Sequence, residues 1–197
     1  METLDAASVL VIGFGNPMRR DDGVGPSVAQ AVSRWCIPGV EAIEAHQLLP
    51  ELAEPLAKAR LAVFVDARIA GEGEGDRVEA RPIAPADGRE TIGHVSDPRR
   101  LLALSREVFS RSPEAWLITV PAVDLSIGEG LSPDARQGLR EAMRWISRLL
   151  VPIDRRPIRR RSPGLGSLSS RSRPRPADES GVRPPSRSGA STRPDWP

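Results

Sequence analysis

The sequence predicts an α/β domain: a three-layer α/β/α sandwich around a mostly parallel twisted sheet, followed by a disordered C-terminal tail. Three observations predict it. Short β-branched runs alternate with stretches of helical periodicity, the pattern of parallel strands joined by crossover helices. Two of the runs, Ser8 to Gly13 and Leu61 to Val65, are nearly all apolar, as strands covered on both faces are. From Pro152 onward Pro, Ser and Arg dominate and no apolar period survives, which leaves too little apolar surface to offset chain entropy. The division is therefore a domain over 1–151 and a tail over 152–197.

The elements follow in order. Ser8 to Gly13 reads as a buried first strand, and Phe14 to Gly25 as a long loop rich in glycine and charge. Pro26 suits a first helical turn, with Val28, Ala29, Ala31, Val32 and Trp35 at helical spacing until Pro38-Gly39. Cys36 falls within that helix. Val40 to Ala45 is a weaker second strand. Pro50 opens a second helix whose inner face is Leu52, Leu56 and Ala59. Leu61 to Val65 is the third strand, ending at Asp66, and Gly71 to Gly75 is a turn. Arg77 to Arg81 alternates as an edge strand. Ser96 or Asp97 caps a helix to about Phe109, with Leu101, Leu102, Leu104 and Val108 inward. Trp116 to Val120 is another strand. Ser132-Pro133 starts the last helix, which runs to about Leu150 with Leu139, Met143, Ile146, Leu149 and Leu150 on one face.

Composition narrows the function. Cys36 is the single cysteine, so no disulfide framework exists within the chain, and a reducing cytoplasm is expected. No apolar run approaches the roughly 20 residues of a membrane helix, and the METLDAAS start carries no base, unlike a secretory signal. The net charge of +2 hides an asymmetry: 17 bases against 22 acids up to Val151, then 11 bases against 4 acids. Lys58 is the one lysine among 28 basic residues, so the arginine content reads as a bias of the whole chain rather than a phosphate-binding patch. No aromatic residues alternate with the tail arginines, so a stacking platform for nucleic acid is absent.

Fold alone points to one edge. In an open α/β sheet, ligands sit beyond the carboxyl ends of the strands. Asp21 and Asp22 lie in the loop after the first strand, Asp66 directly after the third, and His94 in the loop before the next helix. Two carboxylates and an imidazole suit a divalent metal of borderline softness such as nickel or zinc, with positions left open for substrate or water. Each residue also has a plainer role. Residue type makes Asp22 a cap for the helix near Gly25. Asp21 reads as a loop residue bonded to backbone N–H groups. A carboxylate ending an apolar strand is costly unless solvated, paired or bound, which favours function for Asp66. His94 alone is balanced between ligand and surface histidine, and His46 after the second strand reads as a contact outside the ligand set. The Gly13-Phe14-Gly15-Asn16 turn lacks the third glycine of a dinucleotide fingerprint, since Met18 stands there. Its glycines read as permitting a tight turn at positive φ.

The segment Gly13 to Gly25, GFGNPMRRDDGVG, resembles the opening signature of the nickel–iron hydrogenase maturation endopeptidases. Asp66-Ala67 after an apolar strand resembles that family's second acidic position. His94 ahead of Pro98 and a leucine-bearing helix resembles its histidine, and Gly128 to Pro133 its turn before the last helix. A departure follows the second strand, where many members carry Asp-Gly and this chain has Ala45-His46-Gln47-Leu48. The resemblance implies a cytoplasmic peptidase, expected as a monomer, that removes the C-terminal extension of a hydrogenase large-subunit precursor once nickel is loaded. Asp22, Asp66 and His94 would meet the nickel carried by the substrate, other divalent metals being able to occupy the same place. Asp22 and Asp66 would be the catalytic carboxylates, and Gly15, Asn16 and His46 substrate contacts. Either a carboxylate serves as general base or the metal polarises the scissile carbonyl. Two rivals stand beside it: a nickel-holding assembly adaptor that does not cut, and a hydrolase like peptidyl-tRNA hydrolase, which also opens with G-x-G-N-P but needs a histidine where Arg20-Asp21-Asp22-Gly23 stands.

Overall fold

A computed structural model describes residues 9–71, 77–87 and 97–150. The tail, Ser96 and most of the turn expected at Gly71 to Gly75 lie outside the described residues. Nine elements are present in it: β1 (Val9–Phe14), α1 (Val24–Ser33), β2 (Val40–Ala45), α2 (Ala53–Lys58), β3 (Leu61–Ile69), β4 (Glu79–Ile83), α3 (Pro98–Phe109), β5 (Glu114–Ala122) and α4 (Pro133–Leu150). Short 3₁₀ turns at Arg20–Gly23 and Pro50–Leu52 lead into α1 and α2.

The strands form one five-stranded sheet in the order β2-β1-β3-β5-β4. The first four are mutually parallel, and β4 lies antiparallel on β5 at the edge. Side chains alternate across a pleated strand, and the two faces of this sheet divide accordingly. Val9, Val11, Val63, Val65, Ile118 and Val120 meet Val24, Val28 and Val32 of α1 and Ala142 and Ile146 of α4. Leu10, Ile12, Phe14, Ala62, Phe64 and Leu117 meet Leu56 of α2 and Leu101 and Leu102 of α3. That division is the three-layer sandwich the apolar runs predict. Among the described residues no helix is long and apolar enough to cross a membrane.

Several boundaries differ from expectation, each for a local reason. The first helix ends at Ser33, so Trp35 and Cys36 lie outside it, and Cys36 takes a left-handed φ of 49° in the exposed turn before Gly39. The edge strand is displaced to Glu79–Ile83, where pairing with β5 decides its register. In α3 the side chain of Asp97 accepts from the Arg99 N–H at 2.9 Å, a regular N-cap. Ser105 is the last buried residue of that helix, so Val108, expected to face inward, is 61% exposed. The buried seam of α4 is built from small residues, Ala135, Gly138 and Ala142, with Ile146, while Leu139, Met143, Leu149 and Leu150 pack at its margins. Gly138 explains why: a Cβ there would stand 2.4 Å from Cγ1 of Val120, so α4 rests almost directly on β5.

Candidate active site

The order β2-β1-β3 makes the gap between β1 and β3 the point where the chain's winding reverses, and ligands of open α/β sheets bind beyond the strand ends at such a point. The β1–α1 loop emerges on one side of that gap. Its glycines are steric necessities. Gly15 sits at φ 137°, and a Cβ on it would stand 2.0 Å from the Asp22 carbonyl oxygen. Gly25 in the first turn of α1 lies against two strand ends, with the carbonyl oxygens of Phe14 and Val65 at 2.4 and 2.6 Å from a notional Cβ. Gly13, by contrast, has no positive φ: it lies within β1, and its missing side chain makes way for the Gly25 carbonyl. The loop is thus pressed onto the edge and carries its acids with it.

The two adjacent aspartates have separate roles. Asp21 is fully buried. It accepts from the backbone N–H groups of Val123, Asp124 and Ser132 at 3.0, 3.0 and 2.7 Å, and from the Ser132 hydroxyl at 2.8 Å. Burial alone would push its carboxyl up, but the bonds from Ser132, Asp124 and Val123 outweigh it and hold Asp21 below the usual carboxylate range. The same Ser132 oxygen accepts the Ala135 N–H at 3.1 Å and so caps α4. Asp21 therefore ties the β1–α1 loop to the β5–α4 loop. Around it, Arg20 at φ 45° donates its N–H to Gly128 and pairs with Asp124 at 3.4 Å. The loop role read from the sequence is correct, although its partners lie more than a hundred positions away.

Asp22 is not a cap. Gly23 occupies the N-cap position of α1 and makes no side-chain bond. Instead Oδ2 of Asp22 accepts the Asn16 N–H at 3.0 Å, while Asn16 Oδ1 accepts the Met18 N–H at 3.0 Å. Asn16 thus braces the turn with both its backbone and its side chain, and leaves Asp22 half-buried at the rim.

Asp66 lies inside β3 rather than after it. The β1–β3 ladder ends at Gly13↔Val65, whereas β3 continues against β5 from Asp66↔Thr119 to Ile69↔Ala122. Asp66 is the first residue beyond the reach of β1, at the mouth of the gap. Burial pushes it up to about 7; the Ala67 backbone N–H pulls the other way, and the charge of Asp22 adds to the rise. The β1–α1 loop and the register of β3 thus bring Asp22 and Asp66 to one rim, near enough for their charges to interact, although they are remote in sequence. Perturbed carboxyl groups of this kind gather at functional sites.

His94 lies outside the described residues. Among those described, no three His, Cys, Asp or Glu side chains come together as a metal site. His46, just past β2, lines a cavity of about 500 Å³ with Ile43, Glu44, Leu49, Glu51 and Leu52. Sequence reasoning placed Ser132 at the start of the last helix but missed its bonds to Asp21, and it missed Val123 and Asp124, which also hold the loop down. A local signal existed in Asp124-Leu-Ser126, where Asp124 Oδ1 accepts both the N–H and hydroxyl of Ser126, at 3.0 and 2.6 Å.

The chain is similar to several solved structures of hydrogenase maturation proteases. It aligns with the hydrogenase maturating endopeptidase HybD from E. coli at a TM-score of 0.60 and 18% identity, covering 74% of this chain and 93% of that one. The nickel–iron hydrogenase maturation protease HybD from Thermococcus kodakarensis gives 0.57 at 19% identity, with 72% and 97% covered. A hydrogenase 2 maturation peptidase from a Thaumarchaeota archaeon gives 0.54 at 23%, with 73% and 97% covered. No protein-family model and no curated protein matches the sequence. The fold is that of the hydrogenase maturation endopeptidases.

Proposed function

We propose that this chain is an endopeptidase of the hydrogenase maturation kind, which removes a C-terminal extension from a nickel-loaded large-subunit precursor. The observation that carries the reading is the placement of Asp22, on the β1–α1 loop, and Asp66, the first β3 residue beyond β1, at the winding reversal of a sheet with that fold. The nickel belongs to the substrate. Carboxylate oxygens from Asp22 and Asp66, with an imidazole from His94, are donors that nickel accepts in an incomplete set, which leaves positions for the substrate's own ligands.

Chemistry follows from the unequal surroundings of the two acids. A carboxyl that titrates near neutrality is suited to take a proton from water and return it to a leaving amine. Asp66 has that property. Asp22, fixed by the Asn16 N–H, orients what enters the gap. A cation arriving with the substrate would favour the ionised form of Asp66 by placing positive charge beside it. Loading of the substrate would thereby convert Asp66 from a proton holder to a base, which offers a physical basis for sensing nickel. Gly15 and Asn16 keep the loop low enough for a polypeptide to pass over it.

The test incubates the purified chain with nickel-loaded and nickel-free precursor and reads the mass of the C-terminal end. Loss of the extension from the loaded form alone is the expected result. Equal cleavage of both forms would remove nickel sensing, and tight binding with no change of mass would favour a nickel-holding adaptor.

A further inference from the structure

We propose that the outer edge of β2, with the cavity beside it, receives the C-terminal segment of the protein substrate as an added extended strand of apolar and basic residues. This rests on the protease reading above for the identity of the partner, and on three observations for the surface.

First, the two edges of the sheet differ. At one, β4 exposes Arg81 and Pro82, and a proline, which has no N–H to donate, blunts an edge against pairing. At the other, β2 has no proline, its exposed side chains are the acids Glu41 and Glu44, it pairs with β1 in unbroken register from Val9↔Val40 to Phe14↔Ala45, and it has no strand outside it among the described residues. An extended peptide can pair along such an edge through its main chain, with pockets for alternate side chains supplying selectivity.

Second, the cavity has a chemistry. Ile43, Leu49 and Leu52 supply apolar walls, and Leu49 is 46% exposed. The carboxylates lining it are Glu44 and Glu51, and neither Arg nor Lys contributes to the lining, in a chain holding 28 basic residues. Apolar walls with two acids complement a strand that alternates apolar and basic side chains.

Third, the edge leads to the acids. The Ala45 carbonyl at the end of β2 accepts the Gly15 N–H at 3.1 Å. The next N–H along, that of Asn16, donates to Asp22. A strand laid on β2 therefore ends two links from the acid rim, with His46 between.

The experiment uses the full chain. A synthetic peptide alternating valine and arginine is titrated into isotope-labelled protein, beside one alternating valine and glutamate. The basic peptide is expected to move the amide signals of Val40–Ala45 and to bind about tenfold tighter than the acidic one, a factor surface charge pairs can supply together. The exposed double substitution Glu44→Lys with Glu51→Lys should invert that preference and raise KM for precursor about tenfold with kcat held. Amide shifts elsewhere, or β2 shifts that follow protein concentration and so report a second copy on the edge, would overturn the proposal. Precursor cut with unchanged KM by the double variant would overturn it while leaving the protease reading intact. Peptide binding at β2 by a chain that cuts no precursor would uphold the edge as a strand-receiving surface and reject the protease reading.

Discussion

The knot around Asp21 and the stretch of β3 around Asp66 each withdraw a carboxylate from water, yet they treat it in opposite ways. Asp21 receives four hydrogen bonds from one segment, Val123 to Ser132, and its charge is held. Asp66 receives the N–H of Ala67 and faces the charge of Asp22, and its proton is held up to about 7. Burial is common to both; the supply of donors is the difference. A fully bonded buried charge has no remaining valence and serves as a fastener. A buried carboxyl short of donors keeps an unfilled demand, which a cation or a transferred proton can meet.

The largest effect should come from the unfilled side. Asp66→Ala is expected to lower cleavage of the loaded precursor by about 10²–10⁴-fold, the range of a general acid–base group, while the chain stays folded with a thermal transition no lower than the parent's. Mass analysis of precursor and calorimetry together check it; full activity would dissolve the contrast with Asp21.

The next effect lies on the fastened side. Asp21→Ala strands three backbone N–H groups and a hydroxyl, and should cost about 3–5 kcal/mol, as loss of one partner in a buried charged network does. Denaturant unfolding measures it. A cost below about 1 kcal/mol would mean that the two loops need no tie.

The pH dependence sharpens the comparison because the signs are opposed. Asp66 binds its proton more tightly folded than unfolded, so its contribution to stability falls as pH rises from about 4 to about 7. Asp66→Asn should therefore stabilise the metal-free chain by up to about 4 kcal/mol at pH 8, with the gain vanishing near pH 4. Asp21 is held below its usual range, so its stabilisation is present above the unfolded value and is lost as pH falls through the folded one. Unfolding curves read from about pH 4 to pH 8 for the Asp66 variant and below about pH 4 for the Asp21 variant would expose a wrong assignment as slopes of equal sign.

The smallest effect tests the shared hydroxyl. Ser132→Ala removes a cap from α4 and one donor from Asp21, and should cost about 1–2 kcal/mol. Its titration signature should be an upward shift of Asp21 alone. An equal shift at Asp66 would show the two regions to be one network.

Much of this contrast is readable before folding. Val9 to Ile12 and Leu61 to Val65 demand burial on both faces whatever surrounds them, which already implies helices above and below a parallel sheet. Ser132-Pro133 and Asp97-Pro98 announce helix starts by chemistry local to the chain. Capping was misread at Asp22 because residue type alone cannot tell which N–H a carboxylate will find; Asn16, six positions back, took it. Val108 was misread because helical spacing says which face is apolar, not where the sheet beneath it stops.

The sequence by itself determined the layers, the order of elements and the presence of an acid in the loop after the first strand, since periodicity and turn chemistry act over a few residues. Only the tertiary structure decided which acid became a fastener and which kept its proton. That choice depends on donors delivered from positions 123 to 132 to Asp21 and on the point where β1 stops beside β3, and both are set by how distant segments pack.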